Sequence, residues 1–199
     1  MGSPLKTLVL GITGASGAIY GWDLLQKLEE SPAVEKVFLI LSQAGREVLT
    51  TETGIHLDGQ GSLDRHQFAK TIWLDESDLF APVASGSYPV DAMIIAPCSM
   101  ATIGCLASAA GRNLIHRAGD VTLKEGRPLV LVPRETPLHA IHLENLLRLC
   151  QAGARVVPAM PSFYLKPKTI QELVATVTDR VLDVCGLPAP GRSRWEGRS

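Results

Sequence analysis

Apolar runs of strand length alternate along the chain with segments of helical period. Leu5–Leu10 is a first strand-like run, and a glycine-rich turn carries it into Ala18–Glu30. There Ile19, Trp22, Leu25 and Leu28 recur every third residue, which gathers apolar side chains on one face of a helix. Val34–Leu41 follows as a strand, Gln43–Thr51 as a short helix and Lys70–Leu74 as a further strand. Ala92–Ala96 is apolar throughout and meets Pro97, so it predicts an inner strand, and Ser99–Ala110 predicts a helix of small residues. Leu129–Val132 is a strand stopped by Pro133; Pro137 suits the first turn of a helix running to Gln151, which Gly153 closes. Arg155–Val157 is a last short strand, and Thr169 and Glu172 form a capping-box pattern that opens the final helix. Strand–helix alternation of this kind predicts an α/β, Rossmann-like, doubly wound and mostly parallel sheet with helices on both faces. The pattern predicts one domain over residues 1–186 and a Pro/Gly/Arg-rich C-terminal arm over 187–199.

Composition narrows the partners. In 199 residues, Lys and Arg number 19 and Asp and Glu 20, a formal net charge of −1. That balance gives no global basic field for nucleic acid or an anionic membrane, so a bound anion needs a local cluster. The uncharged stretch from Ala92 to Gly111 has the length of a membrane span. Pro97, Ser99, Thr102 and Ser108 interrupt it, and a strand, a turn and a small-residue helix account for it better. Leu8–Ile12 is too short for a signal peptide, and Cys98, Cys105, Cys150 and Cys185 show no C-x-x-C or zinc spacing. Free thiols in a reducing, cytoplasmic setting are the expectation.

In a doubly wound sheet, ligands bind beyond the carboxyl ends of the strands. Four segments stand there: Gly14–Gly17, Ser42, Pro97–Ser99 and Pro133–Glu135. Glycines between a strand and a helix let the backbone approach a phosphate, and the helix N-terminus supplies N–H donors. A dinucleotide site would want a carboxylate where Ser42 stands, which argues against an NAD dehydrogenase. Tyr164 and Lys168 have the Tyr-x-x-x-Lys spacing of short-chain dehydrogenases, but Pro161 and Pro167 oppose the helix that pairing needs. Ser99 reads as an N-cap or a ligand contact, with Thr102 one turn further on. Cys98, at a buried strand end with no nearby His, reads as an inert thiol rather than a nucleophile. Arg117, Lys124, Arg134 and Arg180, with Tyr164, are a cationic set suited to a dianion; singly each also reads as a solvated charge, except Arg134, which the strand end places in the crevice. Glu135 is a proton acceptor or the salt-bridge partner of Arg134, and Glu52 reads locally as a surface carboxylate after the second helix. The five histidines show no metal spacing.

Taken in order, Gly11–Gly17 (GITGASG), Thr51–Thr53, Ala84–Ser87, Pro97–Ser99, Asn113–Glu125, Leu129–Pro137, Ile141–Leu147, Pro161–Tyr164 and Asp179–Asp183 resemble the UbiX-like flavin prenyltransferases. These belong to the homo-oligomeric flavin-containing Rossmann-like decarboxylase superfamily, and the likeness spans nearly the whole chain. It implies an enzyme that joins a dimethylallyl group from dimethylallyl monophosphate to N5 and C6 of reduced FMN. The product is prenylated FMN, destined for a UbiD-like decarboxylase. No metal is implied; a homo-oligomer is, trimer-based and up to a dodecamer.

By the same resemblance, Gly14, Ala15, Ser16, Ser42, Ser99, Met100, Ala101, Thr102 and Arg134 would contact FMN. Arg117, Lys124, Tyr164 and Arg180 would hold the prenyl phosphate, partly across a subunit boundary. Ser16, Glu52 and Glu135 would manage protons. Trp73 and Trp195 are candidates for an apolar wall that keeps water from an allylic cation. Gly119 and Gly126 depart from the family's Ala and Arg. An FMN-dependent decarboxylase of cysteine-type substrates is the nearest competitor, and a non-catalytic flavin carrier is another. Asp75–Ala84 lacks the catalytic His of the former, and a passive carrier has no use for a second phosphate site.

Overall fold

In the computed structural model, which describes residues 6–57, 63–64 and 66–187, six strands form one sheet. They are β1 (Lys6–Ile12), β2 (Val34–Leu41), β3 (Thr71–Leu74), β4 (Ala92–Cys98), β5 (Leu129–Pro133) and β6 (Arg155–Val156). The order is β3-β2-β1-β4-β5-β6 and every pairing is parallel. Strand order therefore reverses between β1 and β4, which opens a crevice at their carboxyl ends. The helices are α1 (Ala18–Glu30), α2 (Gln43–Thr53), α3 (Met100–Ala107), α4 (Leu114–Lys124), α5 (Ala140–Gln151) and α6 (Ile170–Val184).

Alternation along the strands divides the core in two. Leu8, Leu10 and Ile12 of β1, with Val37, Leu39 and Leu41 of β2, pack against α1, α2 and α6. Val9, Phe38, Ile40, Met93 and Ile95 face α3, α4 and α5 on the other side. A Cβ on Gly21 would lie 2.3 Å from the Ala96 carbonyl oxygen, so the glycine lets α1 ride directly on β4 beside the crevice.

Several boundaries differ from the sequence expectations. Pro97 and Pro133 do not stop their strands: β4 continues to Cys98, which pairs with Pro133. Proline lacks a donor but keeps its carbonyl, and Pro97 O accepts from both Thr13 N (3.2 Å) and Thr13 Oγ1 (2.8 Å). Helix α5 begins at Ala140 rather than Pro137, because the His139 side chain caps it by accepting from His142 N. Helix α2 runs two residues further, through Glu52, before Gly54 closes it in the left-handed region. Helix α4 is an element that the sequence pattern did not assign; Leu114, Ile115, Ala118 and Val121 form its buried stripe. The uncharged 92–111 stretch is a strand and a short helix, and no described helix is long and apolar enough to cross a membrane. Thr169 caps α6 as expected, accepting from Glu172 N. Of the arm, Leu187 is buried against the core, and residues from 188 onward, Trp195 included, lie outside the described residues.

At the start of α4, Asn113 Oδ1 accepts from His116 N, and the half-buried His116 ring accepts from Arg112 N through Nδ1 (3.2 Å). Burial holds the His116 pKa below its ordinary value of 6.5, with Glu76 opposing the shift. The unfolded chain then binds the proton more readily than the native one, so this site's contribution to stability is complete above the unfolded value and is lost as pH falls through the folded one. Thermal midpoints should therefore drop as the solution is acidified below about 6.5, and less steeply in His116→Gln. Equal slopes would show that His116 does not couple to folding.

Candidate active site

Three helix N-termini converge on the crevice: α1 follows β1, α2 follows β2 and α3 follows β4. Each offers orphan N–H groups and positive potential to an anion. Thr13, only 2% exposed, knits the switch point together, because its hydroxyl also accepts from Ser99 N at 2.8 Å. Ser42 N donates to Ile12 O, and Ser42 Oγ accepts from Gly45 N (3.0 Å), so the hydroxyl keeps its own proton for a ligand oxygen. Ser99 Oγ likewise accepts from Thr102 N (3.3 Å) and lies 3.1 Å from Thr102 Oγ1. Met100 and Thr102 are buried at this helix start, and Ala101 is exposed.

In the first turn, Gly14 and Ser16 are exposed and Ala15 is buried. Gly17 takes φ 96°, a left-handed conformation that a side chain resists, and it has no side chain with which to cap α1. Glu52 supplies that cap from across the crevice. Its carboxylate accepts from Gly17 N at 2.9 and 3.1 Å and from Ala18 N at 2.9 Å. Local sequence marked Glu52 as a solvated surface carboxylate; the fold brings it to the glycine-rich turn. Arg134 reaches the same turn from the end of β5, donating through Nε to Ser16 O at 2.9 Å. Glu135 is exposed beside it, and its carboxylate accepts from Thr136 N (2.9 Å) rather than pairing with Arg134.

Two contributors escaped the sequence reading. Tyr20 packs its ring against Gly17, and burial raises its pKa against the opposing pull of Arg134, so the phenol stays protonated. Glu76, in the loop after β3, accepts from Gln43 N (2.5 Å) and Asn113 Nδ2 (2.8 Å), so it joins the start of α2 to the cap of α4. Its position past a strand end was the available signal. Cys98 is fully buried and burial pushes its thiol far up, which fits an inert group. Trp73 is no wall for this crevice: it is 6% exposed within the core beneath α1 and α2.

The cationic set divides. Arg134 alone sits at the glycine-rich turn. Arg117 and Lys124 belong to α4, where Arg117 Nε donates to Ala84 O (3.0 Å) and Lys124 pairs with Glu125. The Lys124 and Glu125 side chains lie over Gly86, where a Cβ would come within 2.6 Å of Lys124 Nζ. Arg180 is on α6, across the sheet from α4, with Asp183 Oδ2 at 3.8 Å. Lys6 at the start of β1 and Arg155 at the start of β6 hold the carbonyls that end α6, which puts that end at the amino edge of the sheet. Arg180 is ten residues into α6, roughly 15 Å along the helix at about 1.5 Å per residue, and so stands away from its own crevice. Tyr164 is 60% exposed in the short 3₁₀ turn Phe163–Leu165. That turn also removes the helix a Tyr-x-x-x-Lys dehydrogenase pair requires. Gly119 is a local adaptation: a Cβ there would press on Leu106 Cδ2 at 2.8 Å.

A parallel sheet with three helix N-termini and an arginine at its switch point defines an α/β protein built for a phosphorylated cofactor. A family model described as Flavoprotein matches residues 3–182. The flavin prenyltransferase LpdB of Lactiplantibacillus plantarum is 45% identical over 193 residues, 97% of this chain and 100% of that protein. The crystal structure of AnUbiX in complex with FMN and dimethylallyl pyrophosphate superposes with a TM-score of 0.89 at 37% identity, over 98% of this chain and 100% of that one. A dodecameric FMN-dependent UbiX-like decarboxylase from Escherichia coli O157:H7 gives 0.87 at 42% identity, over 96% and 100%. The chain belongs to the UbiX-like flavin prenyltransferases of the flavoprotein family.

Proposed function

We infer that this protein joins the dimethylallyl group of dimethylallyl monophosphate to N5 and C6 of reduced FMN, and that prenylated FMN passes to a UbiD-like decarboxylase in the cytoplasm. The observation that supports this reading is that Arg134 alone of the five candidate groups stands at the crevice, while the others are exposed away from it, and we read them as two anion sites. One is the crevice with Arg134; the other is the outward-facing group Arg117, Lys124, Tyr164 and Arg180. A protein that only held FMN would need the first and not the second.

The crevice residues divide their work. The amides and small side chains of Gly14, Ala15 and Ser16, the hydroxyls of Ser42, Ser99 and Thr102, the Met100–Ala101 helix start and Arg134 hold FMN. The reduced flavin supplies the nucleophilic nitrogen and carbon. Breaking the allylic C–O bond puts negative charge on the departing phosphate, and preorganised cations stabilise charge that develops at that moment. Arg117, Lys124, Tyr164 and Arg180 serve that phosphate. They lie on opposite faces of one chain, so they meet at a crevice only between copies, as a homo-oligomer allows. Ser16, Glu52 and Glu135 flank the glycine-rich turn and Arg134, where they accept and return protons.

Anaerobic incubation with reduced FMN and dimethylallyl monophosphate, followed by mass spectrometry of the released flavin, tests the reading. The expected product is heavier than FMN by one C5H8 unit. Bound but unmodified FMN with both substrates intact would overturn it in favour of a decarboxylase or carrier.

A further inference from the structure

Where α6 packs on α1, away from the crevice, four side chains form a closed polar network. Lys27 Nζ donates to Asp179 Oδ1 at 2.7 Å and Thr178 Oγ1 at 2.8 Å, and lies 3.0 Å from Asp23 Oδ2. The Thr178 hydroxyl donates in turn to Asp23 Oδ2 at 2.5 Å. The charged side chains are 21–26% exposed and Thr178 is fully buried, so this is a partly buried network rather than a fully solvated ion pair.

Apolar packing alone would leave α6 free to slide. Its buried face is Val174, Val177 and Val181 with Leu182, a row of near-identical side chains that looks much the same one turn up or down. A polar cluster with a single set of partners picks out one register, the best-attested use of buried charged groups. The network includes Asp179, the residue before Arg180. It therefore fixes both the height and the rotation of the helix at that point, while Arg180 stays 60% exposed on the outer side. A second tie acts on the same helix: Ser162 N donates to Thr176 Oγ1 at 3.0 Å, which anchors the segment that carries Tyr164.

We propose that Lys27, Thr178, Asp179 and Asp23 are positioning residues for prenyl-phosphate binding: they set the register of α6 on α1 and thereby aim Arg180 and Tyr164 at a neighbouring copy's site. This rests on the assignment of Arg180 to the prenyl phosphate made above. None of the four touches substrate; they act through the helix they hold.

The test is steady-state kinetics on the folded oligomer with reduced FMN and dimethylallyl monophosphate, using Lys27→Gln, Thr178→Val, Lys27→Arg and Arg180→Ala. Displacing a substrate-holding group by a fraction of an ångström should raise KM for the prenyl phosphate by roughly tenfold in Lys27→Gln and Thr178→Val. FMN affinity should be unchanged, any fall in kcat should match Arg180→Ala in direction and be smaller in size, and Lys27→Arg should restore most of the loss. Thr178→Val keeps every charge and should fold even if Lys27→Gln does not, so it separates positioning from a long-range charge effect. A raised KM in Arg180→Ala with a normal KM in the two network variants would overturn the positioning role alone. A normal KM in Arg180→Ala would overturn the site assignment beneath it. Parallel losses of FMN affinity and KM would mark the network as general scaffolding and also overturn the proposal.

Discussion

Lys124→Ala and Arg180→Ala should each lower kcat/KM for the prenyl phosphate by about a hundredfold or more, the scale of losing one preorganised group that stabilises developing charge. FMN affinity should stay where it was. The division follows from where the side chains lie. Lys124 stands over Gly86 at the far end of α4, and Arg180 is deep along α6 on the opposite face. Neither contacts Gly14–Gly17, Ser42 or Ser99–Thr102, so removing either leaves the crevice as it is. Arg134→Ala supplies the contrast: its guanidinium touches Ser16 O, and its loss should weaken FMN itself. Titration of FMN fluorescence beside prenyl-transfer kinetics reads both quantities. Equal losses of FMN affinity and prenyl-phosphate use in Lys124→Ala would mean that the two anion sites are one. Because α4 and α6 belong to opposite faces, an impaired Lys124→Ala subunit mixed with an impaired Arg180→Ala subunit should recover part of the activity if, as proposed, the site is shared between copies.

What the sequence made legible was what depends on local pattern. The parallel sheet with helices on both faces follows from alternating periods, and Ser99 and Thr169 cap α3 and α6 as their residue types suggest. The strand-end rule led to the crevice, and ordered motifs led to the family. What escaped depends on contacts distant in sequence. Glu52 is 35 residues from the Gly17 amide it caps, and no local feature distinguishes it from a solvated carboxylate. Pro97 and Pro133 read as strand stops because a missing donor is visible in sequence, whereas the carbonyl that still accepts from Thr13 is not. Trp73 looked available as a wall residue, since a tryptophan's identity says nothing about which side of a sheet edge it faces. The cationic set looked like one cluster because composition counts charges without placing them on faces. Helix α4 was legible in principle: Leu114, Ile115, Ala118 and Val121 fall at i, i+1, i+4 and i+7, the spacing of one helix face, and Asn113 precedes them as a cap.

Glu52 is where local structure and chemistry overlap most, and its substitutions should separate the two. The carboxylate satisfies two orphan amides of α1, at Gly17 and Ala18, a task that the glycine N-cap cannot perform. Glu52→Ala removes that cap and, on the proposed role, the proton acceptor as well. Loss of a cap of this kind costs about 0.5–2 kcal/mol of stability. Glu52→Gln keeps one carbonyl oxygen for the α1 amides, so most of the stability should remain. An amide cannot take a proton from a reacting flavin, however, and loss of general acid–base assistance costs on the order of 10²–10⁴ in rate. The expected pattern is therefore two variants with similar, severe losses of turnover but different unfolding midpoints in urea, with FMN still bound by both. If turnover instead followed stability, nearly normal in Glu52→Gln and poor in Glu52→Ala, the carboxylate would be a cap alone. Proton handling would then fall to Glu135 and Ser16. The geometry favours the double role, since a carboxylate held by two backbone amides is fixed in place beside the turn where Arg134 also arrives, and a fixed acceptor loses little freedom when the reaction calls on it.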